Sequence, residues 1–222
     1  MPTWFRRTSR AGLCSALVLL SVPIPTFAQI ESQGHGQLTI AVGQASAPFG
    51  NIATGYADST TSVPTTTAHS IAWRIMGGYQ FSDYLGAEAG ISYADRFTSN
   101  APYLANDEVT STTTISIVEA AFVARIPLAT WVRIDLTGGA AVTACDSSFG
   151  TKLGNNLPLG QSNPVHVRKF GAAAGVDLEW RMSEVWSLIV GDHFYPGVGS
   201  SSTIGAGHGT VSILSGGVHI QF

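Results

Sequence analysis

Residues 70–94 constrain the fold most, because apolar and polar residues alternate through them with a period of two. The pattern breaks only at residues 82–84 and then resumes in phase. It predicts two β-strands, each with one face in an apolar environment and the other in a polar one. Opposed residues of a hairpin share a face, so Phe81 must lie opposite Leu85. This register predicts a three-residue turn at residues 82–84.

The same alternation recurs along the chain and predicts eight strands in all. The first lies near residues 36–45, the fourth near residues 111–128, and the last ends at Phe222. Segments with the composition of exposed loops fall at residues 46–69, 95–108, 145–165 and 196–208. Long and short connections therefore alternate, as they do in an up-and-down meander.

Two places depart from the alternation. Ile115 and Ile117 fall on the polar parity of the fourth strand, which predicts a bulge or a strand end there. Residues 191–193 make the seventh strand ambiguous, and a bulge at Gly191 is the simplest interpretation.

The opening hairpin reads GGYQF at residues 77–81 and LGAEAG at residues 85–90. It resembles the second and third strands of small bacterial outer-membrane barrels of the outer-membrane protein A type, a porin-family fold. The resemblance implies an all-β, eight-stranded antiparallel up-and-down transmembrane β-barrel over residues 29–222, with short periplasmic turns and long extracellular loops. Full-length outer-membrane protein A also carries a peptidoglycan-binding domain. This chain ends at the barrel, so the resemblance does not imply cell-wall anchoring.

Residues 1–28 have the composition of a secretory signal peptide. Three arginines precede an apolar run at residues 11–22, and the sequence TFA at residues 26–28 offers a cleavage site before Gln29. The mature chain then keeps eight basic and fourteen acidic residues, a net charge of −6. Such a charge argues against nucleic-acid binding. Cys145 is the only cysteine after residue 28, so the mature chain has no intramolecular disulfide.

Three features predict that the apolar face points toward lipid. The polar parity is rich in charged residues, each of which would be unfavourable in lipid. Aromatic residues gather near the short turns as an interfacial girdle: Tyr79, Phe81, Trp131, Trp180 and Trp186. The chain ends in alternation at Val218, Ile220 and Phe222, which resembles the carboxy-terminal signal that the outer-membrane assembly machinery reads.

We expect the polar parity to form a packed interior network, because an eight-stranded barrel is just wide enough for side chains to fill it. The charged members of this network are Arg74, Glu88, Glu119, Arg125, Arg133, Asp135, Asp177, Glu179 and Arg181. Their positive and negative charges nearly balance. This balance predicts hydrogen bonds and ion pairs inside the barrel in place of an aqueous pore.

One ion pair follows from the register of the fourth and fifth strands. A register with Arg125 opposite Arg133 would oppose two like charges, which destabilises a sheet. A shift of two residues brings Arg125 opposite Asp135 and predicts a turn at residues 129–131.

The residues do not assemble a recognisable chemical site. Some eight-stranded outer-membrane barrels are enzymes that act on lipid A, and such a site needs an outward His and Ser with a carboxylate. His69 and Ser70 lie together at a rim, but adjacent strand residues point to opposite faces. No Cys/His cluster has metal-ligand spacing, and no glycine run has the context of a phosphate-binding loop. We therefore expect no catalytic, cofactor-binding or metal-binding residue.

The sequence thus predicts a non-enzymatic, monomeric protein of the Gram-negative outer membrane that supports the membrane or mediates surface interactions through its loops. The expected partners are outer-membrane lipid, lipopolysaccharide and the barrel-assembly machinery. The loop aromatics Phe97, Tyr103 and Phe149 either serve a binding surface or pack loop against loop. An enzyme acting on lipid A and a soluble lipocalin-like carrier are the alternatives.

Overall fold

The computed structural model describes residues 34–49, 66–104, 107–152, 158–161, 165–198 and 209–222. Among these residues, no helix is long and apolar enough to cross a membrane. The signal peptide at residues 1–28 lies outside the described residues and stays a prediction.

The described residues form nine strands. They are β1 (His35–Phe49), β2 (Thr66–Gln80), β3 (Leu85–Leu104), β4 (Asp107–Ala129), β5 (Val132–Lys152), β6 (Pro158–Gln161), β7 (Val165–Arg181), β8 (Trp186–Val198) and β9 (Gly209–Gln221). Eight of these strands build the barrel. The additional strand, β6, is short and pairs with the outer end of β5.

Antiparallel pairing closes the sheet into a barrel. The strands follow the order β4-β3-β2-β1-β9-β8-β7-β5, and pairing of β4 with β5 joins the two ends. A path that starts at His35 and steps each time to the directly paired residue of the next strand visits every barrel strand once. It arrives back on β1 at Ala45, ten residues further along. A stagger of this kind tilts the strands by about 35–45° to the barrel axis. The predicted eight-stranded antiparallel barrel is confirmed.

The apolar parity points outward. Ile71 on β2 is 77% exposed and Phe170 on β7 is 79% exposed. Ala72 and Arg74, which belong to the other parity of β2, are buried inside. This is the reverse of a soluble carrier, whose apolar face lines the interior. The exposed apolar surface is therefore a lipid-facing surface, as the charge pattern predicts.

Two of the three short turns have the predicted length. The Phe81 N–H donates to the Leu85 carbonyl at 2.9 Å, and the Met182 N–H donates to the Trp186 carbonyl at 3.2 Å. In each turn a serine hydroxyl, from Ser82 or Ser183, accepts backbone N–H groups of the residues that follow it. These hydroxyls satisfy donors that the tight turn leaves unpaired.

The third turn differs from the prediction. Arg125 lies opposite Asp135, so the predicted register is confirmed. However, Ala129 pairs with Val132, and the register shifts between Pro127 and Ala129. The turn is therefore two residues long, and the extra residue is absorbed as a bulge beside the proline, which has no N–H to donate to the ladder.

The outer ends of the strands are longer than predicted. β3 and β4 extend through most of the expected loop at residues 95–108, and β5 continues beyond Cys145 to Lys152. The backbones of these strands stay paired above the apolar band. The Ser- and Thr-rich composition of these residues had predicted unpaired loops there. Of the bulge or strand end expected at Ile115, neither lies in β4, which pairs regularly with β5 there and continues to Asp107; the register shift beside Ile115 lies in β3, between Ala94 and Phe97. The bulge expected at Gly191 is wrong, because both ladders are regular at that position.

Candidate functional site: the barrel interior

Arg74 organises the middle of the interior. Its Nη2 donates to Glu88 Oε1 at 2.8 Å and its Nε donates to Glu119 Oε1 at 3.1 Å. Its Nη1 lies 3.8 Å from Asp177 Oδ2. One guanidinium on β2 therefore joins carboxyl groups from β3, β4 and β7 across the lumen. Such a fork matches the fixed geometry of arginine donors.

His193 extends this group on the opposite wall. Its Nε2 donates to Asp177 Oδ2 at 3.0 Å, and its ring is almost fully buried. The predicted interior network did not include this residue, because residues 191–193 made the strand ambiguous. In the regular ladder His193 points inward by parity, and Asp192 points outward.

Two glycines provide the space that this pair requires. Gly175 lies opposite His193, and a Cβ at Gly175 would meet the imidazole ring. Gly191 lies opposite Asp177, and a Cβ there would meet the carboxyl group. An inward glycine directly opposed to a large inward polar residue is therefore a sequence signal for the network, once the register is known.

A second charged layer lies nearer the periplasmic turns. Arg133 donates to Glu179 Oε2 from Nη2 at 2.6 Å and approaches Asp135 Oδ1 with Nε at 3.3 Å. The Nε of Arg125 lies 3.5 Å from Asp135 Oδ2, and Arg125 also donates to Gln37. Buried polar side chains of the first and last strands lie beside this layer: Gln37, Thr39 and His219.

Arg181 does not join the network as predicted. It is exposed at the periplasmic mouth, where it lines an open cavity of about 280 Å³ together with Arg125, Arg133 and Glu179. Arg181 is the last residue of β7, so its side chain has left the lumen. The described interior therefore sets three arginines against five acidic residues, with His193 and His219 also buried.

The outer half of the interior contains an apolar cluster, together with buried serine and threonine side chains. Phe97, Ile115, Ile117, Tyr195 and Ile213 are almost fully buried and form one cluster. Ile115 and Ile117 are apolar on the inward parity of β4 because they face this cluster. A bulge at residues 95–96, between Ala94 and Phe97 in β3, turns Phe97 inward, so Phe97 is not an exposed binding aromatic. The side chains of Tyr103 and Phe149 lie outside the described residues.

Two exposed histidines contact other polar side chains. A hydrogen bond of 2.9 Å joins His69 Nδ1 to Ser46 Oγ on the outer surface, and His166 lies 2.6 Å from Asp146. Within the described part of the chain no carboxyl group is hydrogen-bonded to His69. No group of three or more His, Cys, Asp or Glu side chains in that part has the arrangement of a metal site.

The sequence matches the family of outer membrane protein β-barrel domains over residues 14–218. The chain belongs to this family. No curated protein matches the sequence.

Solved outer-membrane barrels share low sequence identity with this family member. Ail, the attachment invasion locus protein of Yersinia pestis, is 15% identical over 84% of this chain and 99% of its own, with a TM-score of 0.46. OprG from Pseudomonas aeruginosa is 13% identical over 87% of this chain and 99% of its own, with a TM-score of 0.49. Neisserial surface protein A is 14% identical over 84% of this chain and 97% of its own, with a TM-score of 0.46.

As in an outer-membrane barrel, aromatic side chains surround the periplasmic end on the outside. The five predicted girdle residues, Tyr79, Phe81, Trp131, Trp180 and Trp186, are all exposed. Trp131 and Trp180 pack with ring centroids 5.5 Å apart, and Tyr79 and Phe81 with centroids 5.7 Å apart. Amphipathic rings at this level suit the lipid headgroup region.

The last residue closes the barrel of this outer-membrane protein. Gly36 N–H donates to the Phe222 carbonyl at 2.8 Å, and Phe222 N–H donates to the Gly36 carbonyl at 2.9 Å. The Phe222 ring is 76% exposed, on the same outward parity as Val218 and Ile220. The backbone of Phe222 thus completes the β1–β9 seam while its ring stays available to lipid or to another protein.

Proposed function

We propose that this protein is a non-enzymatic outer-membrane barrel with a packed interior, which supports the membrane and mediates surface contacts through its extracellular loops. The observation that carries the proposal is the filled lumen. Two layers of charged and polar side chains occupy the periplasmic half, and an apolar cluster with buried serine and threonine side chains occupies the outer half. A porin-like conduction path is not supported by such an interior.

The partners follow from the outer surface and the seam. Outer-membrane lipid and lipopolysaccharide surround the apolar band, and the outward Phe222 ring suits recognition by the barrel-assembly machinery. Pairing all the way around the barrel covers the strand edges that promote pairing with other chains, which supports a monomer.

Planar-bilayer recording of the purified mature protein tests the packed interior. We expect no stable conductance steps at voltages where a sixteen-stranded porin, as the positive control, conducts steadily. Large, stable steps would contradict the proposal. Protease treatment of intact cells tests the topology, because cleavage should fall in the long loops and spare the three short turns.

A further inference from the structure

A carboxyl side chain lies on the lipid-facing surface of the barrel. Asp192 follows the outward parity of β8 between Val190, which is 59% exposed, and Phe194, which is 38% exposed. Its cross-strand neighbours, Val176 and Leu214, are exposed apolar residues as well. Carboxyl groups on this face are unfavourable in lipid and need a specific reason to be there.

The position of Asp192 along β8 sets its depth. It lies six residues beyond the girdle residue Trp186. A strand tilted by about 40° rises by about 2.5 Å per residue, which places Asp192 about 15 Å above the girdle. An apolar band in such barrels is about 25 Å tall. Asp192 therefore lies within the band, in its outer half.

Asp192 begins a row of polar side chains that climbs the outer surface. Ser212 Oγ donates to Asp192 Oδ1 at 2.8 Å. Ser46 lies directly opposite Ser212 on one side and His69 on the other, and it is hydrogen-bonded to His69 at 2.9 Å. We refer to Asp192, Ser212, Ser46 and His69 as the outer polar stripe. It crosses four strands, from the apolar band to its outer boundary.

The stripe ends at an open cleft. This outer cleft has a volume of about 430 Å³ and is lined by Gly43, Gln44, His69, Ser70, Ile71, Asp95 and Arg96. The β3 bulge brings Asp95 and Arg96 to the surface, where both are exposed. The guanidinium of Arg96 and the imidazole of His69 offer donors to an anionic headgroup, while the Asp95 carboxylate at the same cleft accepts hydrogen bonds from hydroxyl or amine groups.

We infer that the outer polar stripe and the outer cleft form one binding site for lipopolysaccharide of the outer leaflet. The inference deepens the proposed function, since it rests on the contact with outer-membrane lipid. A phosphorylated headgroup fits the cleft. Amide and hydroxyl groups at the top of the acyl chains supply the donors that Asp192 needs below it. Ordinary phospholipids have only ester acceptors at that depth, so they offer the carboxyl group no donor beyond the Ser212 hydroxyl.

A second copy of the chain fits this surface less well. The stripe rises along the barrel wall and opens into the cleft at headgroup level, which matches the long axis of one lipid. A barrel-to-barrel contact would cover the apolar residues around Asp192 but would leave the cleft unfilled.

Retention of lipopolysaccharide by the purified full-length protein tests the site. The lipid kept per barrel after mild detergent extraction is measured by mass spectrometry for the wild type and for Asp192→Val, Ser212→Ala and Arg96→Ala. Loss of one or two charge-assisted hydrogen bonds should lower retention about tenfold. Ser116→Ala and Arg181→Ala are matched controls, because Ser116 is outward on β4, away from the stripe, and Arg181 is exposed at the periplasmic mouth. These controls should retain lipid like the wild type.

Rebinding to defined membranes separates the lipid classes. Asp192→Val should rebind less lipid than the wild type from vesicles that contain lipopolysaccharide. From anionic phosphatidylglycerol vesicles, the two proteins should rebind equal amounts. If Asp192→Val inserts poorly into the membrane, the same measurement is made on Asp192→Asn, whose side chain has the same shape as aspartate. Unchanged retention in Asp192→Val and Asp192→Asn would overturn the inference, and a shift from dimer to monomer with unchanged lipid would assign the stripe to a second copy. A chemically altered lipid A in the retained material would instead contradict the non-enzymatic function while leaving the binding site intact.

Discussion

Arg125 and Asp135 are directly opposed in the β4–β5 ladder, and the Arg125 Nε lies 3.5 Å from Asp135 Oδ2. This separation is an ion-pair distance, but the Nε makes no hydrogen bond within the described residues. Asp135 is shared with Arg133, whose Nε lies 3.3 Å away. The carboxyl group therefore separates two guanidiniums in a confined polar layer.

Removing this carboxyl group should be strongly destabilising. Asp135→Ala leaves Arg125 and Arg133 adjacent without the charge between them, and we expect unfolding to become easier by about 3–5 kcal/mol. Urea unfolding in lipid vesicles, followed by tryptophan fluorescence, measures the change. Asp83→Ala, in an exposed turn, is the matched control and should have little effect. The double variant Arg125→Met with Asp135→Leu should recover much of the loss, and a double variant no more stable than Asp135→Ala would contradict this account.

The glycine opposite His193 should tolerate no side chain. Gly175→Ala drives a methyl group into the imidazole ring, and we expect a loss of about 1–3 kcal/mol in the same unfolding assay. Gly138→Ala is the control, because a Cβ at Gly138 meets nothing within 4 Å. Equal stability of the two variants would show that the interior is loosely packed at His193.

Phe222 should contribute to assembly through its ring as well as through its backbone. Phe222→Ala keeps the two hydrogen bonds to Gly36 but removes the exposed ring, whereas deletion removes both. We expect a reduced yield of folded, membrane-inserted protein for Phe222→Ala and a larger reduction for the deletion, measured by heat-modifiable gel mobility. Val185→Ala, at an exposed turn position, is the control. Insertion of the deleted form at the wild-type level would refute the assembly role.

Cys145 should be unreactive in the folded barrel. Its side chain is 5% exposed and packs within the apolar cluster, so a maleimide reagent in the external medium should label it only after denaturation. Ser148→Cys in a Cys145→Ala background places a thiol on the exposed, outward face of the same strand and should react in the folded state. Rapid labelling of Cys145 in the folded wild type would show that the outer half of the lumen is open.

The fold class could be predicted from sequence because its main signal is local. Side chains on a strand alternate between two faces, so the outward set from Ile71 to Phe81 is visible in the chain itself. The hairpin register follows from the same rule, and the like-charge argument was sufficient to place Arg125 opposite Asp135. The predictions that failed concern two kinds of position. At Arg181 the chain leaves the lumen, and at Ile115 and Ile117 the interior changes from a charged network to an apolar cluster.

Contacts across the lumen were decided only by the tertiary structure. Which carboxyl groups reach Arg74 depends on the closure of all eight registers and on the stagger of ten residues that carries His35 around to Ala45. The same closure brings Asp192, Ser212, Ser46 and His69 into one row, although Ser46 and Ser212, which are directly opposed, come from the two ends of the barrel sequence. Alternation fixes the face on which a side chain lies, because it is a property of one strand. The partner of that side chain depends on every strand, because the barrel closes only when all the registers agree.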